Sequence, residues 1–278
     1  MHTVKLSTVR FLPLVICCLL ALFIVIVVCF KPPYCDIFHA AQEGSVTGVE
    51  YFMARGADVH AKTDYGRTPL HVAALNNSNV DILAYLIEQG ADVHAKDDEG
   101  WTPLHTAAGF NPNVCVLQYL IEKGADVHAK TDDDRTPLHV AAIDNPNVDI
   151  LAHLIEKGAD VHAKDNGGWT PLHSAAWCNP NVDILEYLIE KGADVHAKDD
   201  AGWTPLHTAA YYNPNVCVMQ YLIEKGADIH VKDNDGRTPL HLVKMKAYLE
   251  GRSKPATSSF WGRNKHRIIY ILELLQLL

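Results

Sequence analysis

Residues 68–101 read TPLHVAALNNSNVDILAYLIEQGADVHAKDDEGW. Thr-Pro-Leu-His returns at 102–105, 136–139, 170–173, 204–207 and 238–241, and Gly-Ala-Asp at Gly56, Gly90, Gly124, Gly158, Gly192 and Gly226, always with a step of 34 residues. A fixed period of this size predicts stacked supersecondary units, each burying its apolar face only against its neighbours.

Within the quoted unit the local signals are consistent. Thr68 is placed to cap a helix through its hydroxyl, and Pro69 follows at the first helical position, where a missing N–H costs nothing. Leu70, Ala73 and Ala74 form a short apolar face whose alanines permit close helix approach. The link Asn76-Asn77-Ser78-Asn79 ends that helix; in later units it becomes Asn-Pro-Asn, with the break enforced by Pro112, Pro146, Pro180 and Pro214. Val80, Leu83, Leu86 and Ile87 then have the spacing of a second helix, Gly90 suits its C-terminus, and Asp98-Glu99-Gly100 suits a turn.

These units closely resemble the ankyrin repeat, in the TPLHxAA opening, the GADV signature and the acidic, glycine-containing turn. The resemblance spans about residues 36–278 and implies an all-α solenoid of helix-turn-helix units with projecting hairpin loops. The usual family unit is one residue shorter, and the extra residue here falls in the Asn-Pro-Asn link, where it should alter a turn and not the fold. The expected organisation is an N-terminal capping repeat at 36–67, repeats at 68–101, 102–135, 136–169, 170–203 and 204–237, and a degenerate C-terminal repeat or cap at 238–278. The first cap lacks Thr-Pro-Leu-His but keeps Ala40-Ala41. The last unit reads Leu242-Val243 where the alanine pair belongs, and a basic, serine-rich insertion from Arg252 to Arg263 precedes an apolar stretch at 267–278, placed either to cover the end of the stack or to touch a membrane surface.

Ahead of the repeats, after a short tail at 1–10, residues 11–30 are uncharged and mostly apolar, and a linker at 31–35 carries Pro32 and Pro33. Twenty such residues make a helix of about 30 Å, the thickness of a bilayer core. Bulky residues, Val27-Val28-Cys29-Phe30, stand where signal cleavage needs small ones, so the expectation is an uncleaved, single-pass transmembrane helix. Lys5 and Arg10 against Lys31 lean toward an inside N-terminus with the repeats outside, whereas the resemblance implies cytosolic repeats.

Composition excludes several function classes. The formal net charge is −9; residues 36–243 hold 31 acidic against 14 basic side chains, opposing nucleic-acid binding, while 244–278 are basic. The seven cysteines show no CxxC or zinc-ligand spacing. Phosphate-loop, GxSxG and HExxH patterns are absent, so neither enzyme activity, small-molecule substrate, cofactor nor metal is expected. Asp132-Asp133-Asp134 lacks the alternation of a calcium loop and reads as a solvated turn, distorted because Asp134 replaces the turn glycine. A second histidine set, His60, His94, His128, His162, His196 and His230, offers one imidazole per unit. Helices stacked about 8–10 Å apart cannot bring such a row within the roughly 2 Å that zinc ligation needs. The resemblance implies that the Thr-Pro-Leu-His histidines are structural.

It also implies that partners are contacted by the loop tips and the exposed end of each first helix, together forming a concave face. Here those positions carry Trp101, Phe110, Trp169, Trp177, Trp203, Tyr211 and Tyr212 together with arginines such as Arg135, residue types enriched at binding hot spots, below acidic tips such as Asp132-Asp133 that favour a basic protein partner; the centre of the face is expected near Trp169, Trp177, Trp203, Tyr211 and Tyr212. The competing reading is that the tryptophans only pack the loops together. A membrane-tethered interaction scaffold is the first functional expectation. The alternatives are a secreted or surface effector of a host-associated organism acting on host proteins, and a non-catalytic regulatory subunit of an enzyme.

Overall fold

The computed structural model describes residues 36–76 and 79–252. The expected span at 11–30, the insertion beyond Arg252 and the stretch at 267–278 lie outside the described residues. Among those described, no helix is long and apolar enough to cross a membrane.

Among the described residues, thirteen helices form six helix pairs and a last, single first helix. The first unit holds α1 (Ile37–Gln42) and α2 (Val46–Met53). Then follow α3 (Pro69–Asn76) and α4 (Val80–Glu88), α5 (Pro103–Phe110) and α6 (Val114–Glu122), and α7 (Pro137–Asp144) and α8 (Val148–Glu156). Next come α9 (Pro171–Cys178) and α10 (Val182–Glu190), α11 (Pro205–Tyr212) and α12 (Val216–Glu224), and last α13 (Pro239–Arg252). First helices pack on first helices in one row and second helices on second helices in another. The first row is the tighter, because the paired alanines at 73–74, 107–108, 141–142 and 175–176 are wholly buried and let the backbones approach. The second helix turns Ile82, Leu83 and Leu86 fully inward, with Val80 and Ile87 only part-buried, so its buried face is rotated from the expected one by the inclusion of Ile82.

The threonine before each Pro-initiated first helix is tied to the histidine three residues on. The Thr102 hydroxyl lies 2.9 Å from His105 Nδ1, which also accepts the Thr102 N–H at 3.2 Å, while the hydroxyl accepts the His105 N–H at 3.5 Å. With Nδ1 accepting, Nε2 carries the proton and donates to the Arg135 carbonyl at 3.0 Å. The same bond runs from His71 to Trp101, His139 to Trp169, His173 to Trp203 and His207 to Arg237, so each imidazole fastens the last residue of its own unit, just before the next first helix. Burial pushes these five imidazoles down from their ordinary value, His105 to about 4, and keeps them neutral.

The Asn-Pro-Asn link contains a second ladder. A proline at 112 has no N–H to give the carbonyl of Ala108, four residues back, which helix geometry would otherwise satisfy. Asn145 of the next unit supplies it: its Nδ2 donates to Ala108 O and to Asn111 O, both at 3.0 Å. Asn179 and Asn213 repeat this on Ala142 and Ala176, whose own partners would have been Pro146 and Pro180. These asparagines are almost wholly buried. The second asparagine caps the second helix through Oδ1, as Asn147 does for the Asp149 N–H at 3.0 Å, and its Nδ2 reaches the Pro112 carbonyl at 2.9 Å. The links of successive units are therefore hydrogen-bonded to one another.

The hairpin loops also pair with one another, tip to tip. Asp98 N–H donates to Tyr65 O, Asp132 to Glu99, Asn166 to Asp133, Asp200 to Gly167 and Asn234 to Ala201. The glycine closing each tip adopts a left-handed conformation, φ 76° at Gly100, and a Cβ there would sit within 2.7 Å of the Asp132 backbone nitrogen. Asp134 takes the same conformation at φ 60° and its N–H still donates to Thr131 O at 2.9 Å. The distorted turn expected there does not occur: aspartate is among the few residues tolerating this region, so one strained residue replaces a changed loop.

Candidate functional site

The last residue of each unit places its side chain over the start of the next first helix, because its carbonyl is held by the preceding histidine. Trp101, Trp169 and Trp203 consequently lie against His105, His173 and His207, ring centroids 6.1–6.3 Å apart. From there they meet the exposed end of that first helix. Trp101 stacks on Phe110 at 5.9 Å, Trp169 meets Trp177 edge-on at 5.9 Å, and Trp203 meets Tyr211 at 5.7 Å and Tyr212 at 6.0 Å. Trp177 reaches on to Tyr212 at 6.3 Å, and Tyr211 and Tyr212 touch at 4.8 Å.

The seven aromatic residues singled out in the sequence therefore fall into two groups. Trp169, Trp177, Trp203, Tyr211 and Tyr212 form one continuous cluster across α9 and α11. Trp101 and Phe110 stand apart, separated by the unit that offers Arg135, Ile143 and Asp144 at these positions. Burial pushes the Asp144 carboxyl up from its ordinary value, against the pull of Arg135. Phe110 is 42% and Tyr212 43% exposed, whereas the tryptophans and Tyr211 are half-buried.

The packing role of these side chains is real as well. Arg67 and Arg135 reach the carboxylates of Asp97 and Asp165 in the next loop at 3.5 and 3.6 Å. Trp169 does the same with its indole N–H, donating to Asp199 at 3.1 Å. Those aspartates in turn hold their own loops, Asp165 accepting the N–H groups of Gly167 and Trp169. Trp203 lacks the corresponding bond because Arg237 occupies the Asp233 carboxylate at 2.8 Å, leaving the buried indole nitrogen without a hydrogen-bond partner among the described residues. Burial works to raise the Asp233 carboxyl, but the bonds from Arg237 bring it below the usual carboxylate range.

A cleft of about 300 Å³ opens beside the cluster, lined by Asp133, Arg135, Asp165, Trp169, Trp177 and Tyr212, with Asn166 and Gly167 at the tip. Of the charged lining, Asp133 is one of the acidic tips and Arg135 one of the face positions expected from the sequence, whereas Asp165 was not singled out and joins the cleft because tips of successive units pair in register. That register was available in the 34-residue period, had each tip been set beside the next.

Elsewhere the second histidine set is exposed, each backbone N–H held at 2.8 Å by the aspartate two residues earlier, for example His94 by Asp92. Among the described residues no group of histidine, cysteine or acidic side chains could hold a metal. Cys115, Cys178 and Cys217 are free thiols.

A family model described as ankyrin repeats in three copies matches residues 37–131, 107–199 and 192–250. None of the curated proteins compared matches the chain.

Proposed function

Because the chain belongs to the ankyrin-repeat family, whose members are generally non-catalytic scaffolds for protein partners, we propose that it is a membrane-tethered interaction scaffold. Residues 11–30 are the tether, and the aromatic face binds a basic protein partner. The single observation that supports this most is the continuous cluster of Trp169, Trp177, Trp203, Tyr211 and Tyr212. Its rings exceed what loop packing requires, since Tyr212 remains more than two-fifths exposed. Rigid aromatic side chains bury large areas at small entropic cost, and acidic tips steer a partner of opposite charge.

The test is proximity labelling by the full chain in its own cells, compared with the Trp177→Ala and Tyr212→Ala variants. Specific neighbours should disappear from the labelled set in both. A set unchanged by either substitution would overturn the assignment of the face. Extraction of membranes at alkaline pH tests the tether separately: the chain should stay with the lipid, and its release would refute anchoring. Protease protection in sealed vesicles then tells which side the repeats face.

A further inference from the structure

We propose that the cleft between Trp169, Trp177 and Tyr212 receives the ammonium head of a lysine side chain on a basic protein segment, held by cation–π contact and by the Asp133 carboxylate. This rests on the reading that the aromatic face binds a partner, and it names the chemistry recognised there.

Three observations carry it. First, Trp169 and Tyr212 stand nearly perpendicular to Trp177, at 79° and 83°. Rings at right angles border a shared space with π faces as well as edges, and a face carries the negative part of the ring quadrupole that attracts a cation. Second, the charge is complementary. Two carboxylates, Asp133 and Asp165, line the cleft against one guanidinium, Arg135, which is paired with Asp165 at 3.6 Å. Asp133 lies on an exposed tip, with no side-chain hydrogen bond or ion pair to any described residue. Third, the neighbouring unit supplies its own cation: the Arg237 guanidinium sits 6.0 Å from the centre of the Trp203 ring. One unit earlier, the position equivalent to Arg237 is Trp203 itself, so no guanidinium reaches Trp169 from there. Lysine suits the vacancy better than arginine, since its compact head fits a small cleft already walled on one side by a guanidinium.

The experiment uses the full chain in non-ionic detergent, labelled with fluorotryptophan and followed by fluorine NMR. Resonances are assigned by single Trp→Phe substitutions. The probes are tetramethylammonium chloride and the neutral isostere tert-butanol, then a lysine–serine decapeptide and its acetyl-lysine counterpart. Trp169 and Trp177 should shift saturably with tetramethylammonium and with the lysine peptide, and not with either neutral probe. Trp177→Leu should weaken peptide binding by roughly tenfold, and Asp133→Asn by about twofold to fivefold. The comparison of probes on the unsubstituted chain requires no variant to fold. Equal responses to charged and neutral probes, or no response, would overturn the proposal. A shift with tetramethylammonium alone would also overturn it, in favour of a small quaternary amine. If partner labelling in cells still needs Trp177 while the charged probes fail, the lysine assignment falls and the interaction face stands.

Discussion

Replacing Asn145 by alanine removes one amide that serves three backbone groups. Its Nδ2 is the donor for Ala108 O and Asn111 O, and its Oδ1 accepts the Asn147 N–H at 3.0 Å. Asn145 is 1% exposed, so water does not reach the site to compensate. Ala108 is the costly partner, because Pro112 denies it the helical donor. A buried polar group left unmade costs about 1–3 kcal/mol. With one carbonyl stranded outright and two groups weakened, the expected loss is about 2–4 kcal/mol. Asn147→Ala is the control. It also removes a cap and a bond to the preceding unit, but Asn147 is only half-buried and both bonds lie where water can replace them, so it should cost about 1 kcal/mol. Urea unfolding followed by circular dichroism reads the difference. With a slope of roughly 1–3 kcal/mol per molar, the Asn145 variant should unfold about 1 M or more below the parent. Stacked repeats can unfold in sections, so amide exchange of α5 and α7 should be measured alongside. Asn145→Ala costing no more than Asn147→Ala would refute the argument that the inter-helix link is a buried ladder.

The buried imidazoles set a pH dependence. Folding lowers the His105 pKa from 6.5 to about 4, so the unfolded chain binds the proton first as pH falls, and stability is lost through that window. His105 alone accounts for about 3 kcal/mol, and His71, His139, His173 and His207 act in the same direction. Denaturation between about pH 7 and pH 5, above the carboxylate range, should show a steady fall; a flat profile would contradict it. Asp134→Gly should stabilise by about 1 kcal/mol by relieving the left-handed residue, less the small exposed pair with Lys130 at 3.3 Å, and a rise in thermal midpoint checks it. Gly168→Ala should do the reverse and cost more, since a Cβ there lies 2.9 Å from the Asp200 nitrogen in addition to the φ penalty.

The period alone determined the fold. A helix start at each Thr-Pro, a stop at each Asn-Pro and Gly-Ala-Asp, and a turn at each glycine are local events, and identical local events every 34 residues leave a stack as the way to bury the alanine and leucine faces. Helix positions such as Pro103–Phe110 and Val114–Glu122 follow from those signals. The aromatic positions of the candidate site were legible as the variable residues of a constant frame, at places that the resemblance to ankyrin repeats implies are partner-facing. What the stacked structure decided is which residues of different units meet. The second asparagine of each link is a local cap, but the first is buried by a helix 37 residues away in the chain. Likewise the reach of Trp177 to Tyr212 of the next unit and the entry of Asp165 into the cleft depend on the rotation and spacing of neighbouring units. Those are set by side-chain packing between first helices, and no pattern within a single unit encodes them.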